Sequence, residues 1–266
     1  MVHIDVRGAF LFATLDAPAT RNALTDTMVS SLHSAVIQAA SSPVLRALVV
    51  RGSGQTFCAG GDFARFRKLM AAPPRAVDPI IGFNRAFGAL LEAIHGAPIA
   101  TIAVVEGAAF GGGAGLAACC DFVLASNSAE FATPEVTLGL PPAQITPFIV
   151  ARLGEAAALR LLLSGQRLKA ADALACGLVD EILSPEALDP RLTALLGQLR
   201  RAEPAALRAT KSIAHRHRGQ PLGATLDFAA DQFALALRSG QPAEGLAAFA
   251  ARRPAAWAVD EQTPKH

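Results

Sequence analysis

The chain is short of charge. Only 17% of its 266 residues are Asp, Glu, Lys or Arg, against about 25% in an average soluble domain. The 24 basic and 22 acidic residues leave a net charge of +2, which supplies no general field toward nucleic acid or an anionic membrane. Cysteine is scarce too. Cys58, Cys119, Cys120 and Cys176 show neither a CxxC nor a metal-type spacing, so no disulfide framework and no metal are expected. The adjacent pair Cys119-Cys120 lies in an apolar run and reads as small core residues of a reduced, cytoplasmic protein. Met1–Arg7 lacks a basic segment followed by an apolar one, so no signal peptide is expected. The longest apolar stretch, Pro98 to Ala125, is interrupted by Glu106, Asp121 and the glycines from Gly107 to Gly115. It holds no run of about 18 uncharged residues fit to cross a membrane.

Several chemistries lack their signatures as well. G-x-G-x-x-G fits neither glycine cluster, and no Gly-Lys-Ser/Thr occurs, which argues against dinucleotide and P-loop chemistry. No histidine pairs with a serine or cysteine in a triad-like motif. Of the histidines, His33 and His95 fall on helical segments, and His215 and His217 sit in the basic stretch Lys211–Arg218, which reads as a solvated face.

Apolar residues, by contrast, make up 52% of the chain, which excludes disorder. The length suits one large domain or two small ones, with enough core to fold without disulfides. The excess of apolar surface points to subunit interfaces and hence to an oligomer. Along the chain, His3–Arg7, Gly8 and Ala9–Leu15 read as a hairpin. Thr25 or Asp26 caps a helix carrying Met28, Leu32, Val36 and Ile37. Leu45–Val50 is a short apolar strand of the buried type. A loop to Gly61, a helix Asp62–Met70 and an exposed connection at Pro73-Pro74 and Asp78-Pro79 follow. Helix Ile80–Ile94, strand Ile99–Val105, helix Gly113–Cys119 and strand Phe122–Ala125 complete an alternation that argues for a layered α/β fold. From Glu155 onward the pattern turns helical, in Glu155–Leu163, Ala170–Cys176, Leu188–Ala202, Pro204–His215, Leu222–Leu237 and Pro242–Arg253. We therefore expect a core over residues 1–195 and a helical region over 196–266.

Two glycine loops draw the chemistry together. Gln55-Thr56-Phe57-Cys58-Ala59-Gly60-Gly61-Asp62 and Glu106-Gly107-Ala108-Ala109-Phe110-Gly111-Gly112-Gly113 each lie between a buried strand and a helix. Such loops also serve plain strand-to-helix packing, but two of them on neighbouring strands can aim one N–H each at a single oxygen, as an oxyanion hole does. Glu135 lies in a mostly apolar loop, Phe131–Pro142; partial desolvation there raises a carboxyl pKa toward the range useful for proton transfer. Read by itself, it is first a surface glutamate beside a proline. Asp62 reads first as a helix cap, and Glu106 as a structural residue at a strand end.

In this order the pieces resemble the crotonase superfamily, the enoyl-CoA hydratase/isomerase family. The resemblance rests on Arg21-Asn22-Ala23-Leu24, Phe57–Asp62, Gly111-Gly112-Gly113 after Glu106-Gly107, Cys120-Asp121, Pro134-Glu135 with Leu138-Gly139-Leu140, Ala175–Val179, and Glu244-Gly245 with Phe249 and Arg252-Arg253. It implies an α/β spiral of ββα turns with a helical C-terminal trimerisation region, assembled as a homotrimer or homohexamer. It implies an acyl-CoA substrate and no cofactor beyond the CoA of that thioester. Gly61 and Gly112 match the amides that hold the thioester oxygen, and Glu135 matches an acid–base glutamate. Ala23, Leu24, Ala59 and Asp62 match positions that bind CoA, while Phe249 and Arg252 match positions that reach CoA from the C-terminal helices of a neighbouring subunit. Common hydratases carry a further glutamate where this chain has Gly115, which leaves hydration, a Δ3,Δ2 double-bond shift and loss of chemistry all open. Gln144 is a candidate for orienting a water in its absence. Asn84–Gly88 and Pro142–Ile145 resemble the isohexenylglutaconyl-CoA hydratase branch, which implies hydration of a branched or carboxylated 2-enoyl-CoA, with Arg65, Arg67, Lys68 or Arg85 as the cation for a substrate carboxylate.

Overall fold

The computed structural model describes residues 1–73 and 78–259. Part of the Pro73-Pro74 connection, and the part of 196–266 beyond residue 259, lie outside the described residues. The chain runs through β1 (Val2–Arg7), β2 (Phe10–Leu15), α1 (Asp26–Ser41), β3 (Ala47–Gly52), α2 (Phe63–Ala71), α3 (Pro79–Gly96), β4 (Ala100–Val105), β5 (Ala108–Phe110), α4 (Gly112–Ala118), β6 (Phe122–Ser126) and β7 (Glu130–Ala132). It continues with α5 (Thr146–Leu153), α6 (Glu155–Ser164), β8 (Arg167–Lys169), α7 (Ala170–Ala175), β9 (Glu181–Leu183), α8 (Pro185–Arg200), α9 (Pro204–Arg216), α10 (Leu222–Arg238) and α11 (Gln241–Ala250).

The main sheet has the order β1-β2-β3-β4-β6-β9. The β1–β2 pair is antiparallel, closed at Gly8, and every other pairing is parallel. Strand residues alternate between two cores. Leu11, Ala13, Leu15, Leu48, Val50, Ala103 and Val105 face the larger one, which α1, α3 and α4 cover. Phe10, Phe12, Ala47, Val49, Ile102 and Val104 face the smaller, which Leu188, Leu192, Leu195 and Leu196 of α8 close. The period of two along each strand and the i, i+4, i+7, i+8 stripe on α8 are what burying both faces of one sheet requires. A second sheet, β5-β7-β8, stands beside the main one.

The structure corrects several expectations. Ile37 is half exposed, because the buried stripe of α1 runs through Met28, Leu32, Ala35, Val36 and Ala39. Helix α8 begins at Pro185 rather than Leu188, with Ser184 before it and proline at its first position, a start signal that the leucine periodicity masked. The residue 195/196 boundary falls within α8. The stretch Lys211–Arg218 is not a solvated face throughout. Lys211 Nζ donates to Asp121 Oδ2 at 2.6 Å and to the Ile99 carbonyl at 2.9 Å, and the His215 ring stacks on His95 with centroids 4.6 Å apart. Among the described residues no helix is long and apolar enough to cross a membrane. No group of three or more His, Cys, Asp or Glu among them is placed to hold a metal ion.

Candidate active site

Strands β3 and β4 are parallel neighbours, so their carboxyl ends leave the sheet on the same side. Both glycine loops therefore start from adjacent points, and the backbone then stitches them together. Cys58 N donates to Ala108 O at 3.0 Å, and Phe110 N donates to Cys58 O at 2.9 Å. The turn Arg21–Leu24 adds a further edge: Ala59 N donates to Arg21 O at 2.9 Å and Leu24 N to Gly60 O at 2.8 Å. Sequence reasoning left Asn22 without a role. Its side chain is fully buried; Oδ1 accepts from Ala17 N at 2.8 Å, and Nδ2 donates to Ser53 O at 2.9 Å and Thr56 O at 2.7 Å. It thereby anchors Arg21–Leu24 to the loop that precedes the first glycine turn. A buried position for an asparagine between loops has no periodic signature, so the motif Arg21-Asn22-Ala23-Leu24 was its only signal.

Peptide planarity sets the direction of the two candidate donors, because in a trans amide the C=O and the following N–H point opposite ways. The Gly60 carbonyl points at Leu24 N, so the Gly61 N–H points away from Leu24. The Gly111 carbonyl accepts from Gly115 N at 3.1 Å inside the first turn of α4. The Gly112 N–H therefore points out of the helix N-terminus, where amides have no partner within the helix. Gly61 and Gly112 are partly exposed, whereas Gly60, Gly111 and Gly113 around them are buried. The turns meet: a methyl group placed on Gly60 would lie 3.8 Å from Gly111 Cα, and one on Gly111 would lie 3.8 Å from Gly60 Cα.

Glu135 belongs to this junction. It sits in a 3-10 turn, Pro134–Leu138, which Thr137 closes by donating to Pro134 O at 2.7 Å and which Gly139 ends at φ 76°. A methyl on Gly111 would lie 2.7 Å from Glu135 Oε1. At φ 52° and ψ −117° Gly111 also occupies a conformation that residues with a side chain avoid. Oε2 is buried without a hydrogen-bond partner among the described residues. Burial pushes the Glu135 pKa up, and a hydrogen bond from its own backbone N–H offsets part of the rise.

Around the junction lie Leu24, whose Cδ1 would be 2.9 Å from a methyl on Gly112, and Phe87 of α3, whose ring would be 3.2 Å from it. Phe66 of α2 covers Gly61 at 2.5 Å on the same measure and packs edge-on against Phe83. Gln144 Nε2 donates to Asn84 Oδ1 at 2.7 Å, and its Oε1 fills the notch at Gly88, where a methyl would be 1.9 Å away. At Gly115 the space for a side chain is taken: a Cβ there would meet Ile145 Cγ2 at 2.2 Å.

Ala23, Leu24, Ala59, Gly61, Gly112 and Glu135 are thus brought into one region. Asp62 caps α2, accepting from Ala64 N at 2.8 Å and Arg65 N at 3.4 Å. Phe249 is 84% exposed on α11, a helix that packs on α10, and Arg252 follows it at φ 51°. No hydrogen bond among the described residues ties the backbone of either to the glycine turns. Among the candidate cations, Arg65 pairs with Asp26 at 3.0 Å and lies over Phe83. Arg67 and Lys68 are exposed. Arg85 pairs with Glu92 at 2.6 Å and would place NH1 3.0 Å from the same methyl position at Gly88 that Gln144 crowds.

Comparison with known proteins gives the family. Residues 7–260 match the enoyl-CoA hydratase/isomerase family model. The 2,3-dehydroadipyl-CoA hydratase of Escherichia coli is 31% identical over 91% of this chain and 92% of its own. The crystal structure of an enoyl-CoA hydratase/isomerase from Marinobacter aquaeolei superposes with a TM-score of 0.94 at 36% identity, covering 97% and 99% of the two chains. AtuE of Pseudomonas aeruginosa gives 0.93 at 40% identity with the same coverage. With an α/β architecture of the crotonase type and its C-terminal helices in place, this chain belongs to the enoyl-CoA hydratase/isomerase family of acyl-CoA enzymes.

Proposed function

We propose that the protein hydrates a branched or carboxylated 2-enoyl-CoA, with Glu135 as its acid–base group and the Gly61 and Gly112 amides as its oxyanion hole. The observation that carries this reading is the place of Glu135, one carboxyl oxygen pressed against Gly111 where the two turns meet and the other buried without a partner. In the reaction, the carboxylate takes a proton from water as the water oxygen bonds to Cβ of the enoyl chain. The electron pair of the double bond moves onto the thioester, and the resulting enolate oxygen is held by the two amides. Glu135 then returns the proton to Cα. Donors of this kind are typically worth about 3–4 kcal/mol each. One carboxylate does both transfers because Ile145 fills the space that a side chain at residue 115 would need; Gln144 orients the water. The requirement is for no cofactor other than the CoA of the thioester.

A carboxylated acyl chain is favoured by the polar group of Asn84, Gln144 and the Arg85 guanidinium around Gly88. It is favoured also by the likeness to a hydratase named for a dicarboxylic chain and by the resemblance of residues 84–88 and 142–145 to the isohexenylglutaconyl-CoA hydratase branch. Ala23, Leu24, Ala59 and Asp62 line the CoA, and Phe249 and Arg252 reach it across a homotrimer or homohexamer in the cytoplasm. The exposed Leu226, Phe233 and Leu237 of α10 and Leu246 of α11 support such an assembly through the 196–266 region.

The test is direct. Incubation with a 2-enoyl-CoA should lower the conjugated enoyl-thioester absorbance; a rise from a 3-enoyl-CoA in its place would identify an isomerase, and binding without turnover of either a mere acyl-CoA binder. Glu135→Gln should lower kcat by about 10²–10⁴-fold with CoA-ester affinity nearly unchanged. The kcat/KM of the wild type should fall on acidification around a pKa above the ordinary glutamate value, since burial raises it and the ionised form is the base. Full activity in Glu135→Gln refutes the assignment.

A further inference from the structure

Cys58 is the residue at which the two glycine turns are joined, and none of the chemistry above uses its side chain. Its backbone N–H and C=O bond to Ala108 and Phe110 of the second loop. Its Sγ accepts the Gly60 N–H of the first at 3.4 Å. Gly113, in the first turn of α4, lies flat on it, with a methyl there 2.9 Å from Cys58 Cβ. The thiol is fully buried, which pushes its pKa up to about 12, so no negative charge forms beneath the hole. The peptide plane that carries the Gly61 N–H begins at Gly60, whose own N–H the Cys58 sulfur accepts, and the plane that carries the Gly112 N–H begins at Gly111, next to Phe110, whose N–H the Cys58 carbonyl accepts. Fixing the Gly60 N–H fixes one end of the residue whose carbonyl, at its other end, is held by Leu24 N.

We propose that Cys58 is a positioning residue for the oxyanion hole, its sulfur holding the Gly60 amide so that the Gly61 N–H converges with that of Gly112 on one thioester oxygen. The proposal rests on the oxyanion-hole reading above and adds to it the device that aims the donors. The sulfur is a weak acceptor, and its effect is geometric: donors in a preorganised site lose most of their value when they are misdirected by a fraction of an ångström.

Cinnamoyl-CoA is a suitable probe, because its conjugated band moves to longer wavelength when the thioester carbonyl is polarised. Wild-type protein should shift the band. If it binds the probe and does not, the oxyanion-hole reading itself fails, separately from any role of Cys58. Cys58→Ala should keep the affinity for the probe, lose at least half of the band shift and lower kcat about tenfold, with KM nearly constant. Cys58→Ser, which restores an acceptor of similar size, should recover most of both. An unchanged shift and kcat in Cys58→Ala would overturn the proposal. So would equal losses in the alanine and serine variants, because packing alone would then account for them.

Discussion

At the scale of single residues, the site is an arrangement of groups that other residues hold in place. Asn22 is the clearest case. Its amide satisfies one N–H and two carbonyls from two separate, partly buried segments. Asn22→Ala should therefore cost about 3 kcal/mol, at the low end of about 1–3 kcal/mol for each group that loses its partner, and appear as a drop in Tm of roughly 6 °C for a chain of this size. A variant within 1 or 2 °C of wild type would show that the loop 53–57 is held by something else. Glu135 and the two glycine loops drew attention through their surroundings, a carboxylate in an apolar loop and glycines between a strand and a helix, but Gly61, Gly112 and Glu135 became the candidates through the family resemblance. Asn22 was illegible as a site residue, because its partners Ser53 and Thr56 lie 31 and 34 residues away in the chain, and no local pattern encodes such partners; Cys58 was illegible because its sulfur bonds a backbone N–H two residues on, a contact that residue type alone does not announce.

At the scale of elements, long and strongly periodic segments were readable to within two or three residues at either end, and short ones were not. Strands β5, β7 and β8 have three residues each, too few to show an alternation. Helix α5 was hidden behind Pro141-Pro142 and Pro147, the last of which sits in its first turn. The docking of α9 on the core escaped sequence reasoning for a different reason, since its polar residues pair with the core rather than with water. His95 of α3 is packed between Phe148 of α5 and His215 of α9, with Arg218 NH1 at 2.9 Å from its Nε2 and with Lys211 and Asp121 close by. Burial first, then His215, Arg218 and Lys211, lower the His95 pKa to about 4, while Asp121 opposes them; burial also lowers that of His215. A histidine whose folded-state pKa is depressed binds its proton more readily in the unfolded state, so stability is lost as pH falls from about 6.5 to about 4. The protection factors of the α9 amides, taken against the intrinsic exchange rate at each pH, should fall over that window, and His95→Phe, which cannot ionise, should flatten the dependence. An equal fall in the variant would place the acid sensitivity elsewhere.

At the scale of the whole molecule, a shortage of charge and a surplus of apolar residues find two outlets. One is a sheet buried on both faces, with its two cores closed by α1, α3 and α4 on one side and α8 on the other. The second is the set of large apolar side chains that α10 and α11 leave exposed in the single chain. The parallel pairing of β3 and β4 converts this architecture into chemistry, since it delivers two glycine turns to one place, and the loop from β7 brings a desolvated carboxyl to the same place. That convergence is the central claim, and a crystal structure of Glu135→Gln with a 2-enoyl-CoA bound tests it most directly. The account predicts the thioester oxygen at about 2.9 Å from both the Gly61 and the Gly112 nitrogens, with the residue 135 side chain beside Cα and Cβ of the acyl chain. A thioester oxygen bonded to only one of these amides, or an acyl chain lying away from residue 135, would contradict it.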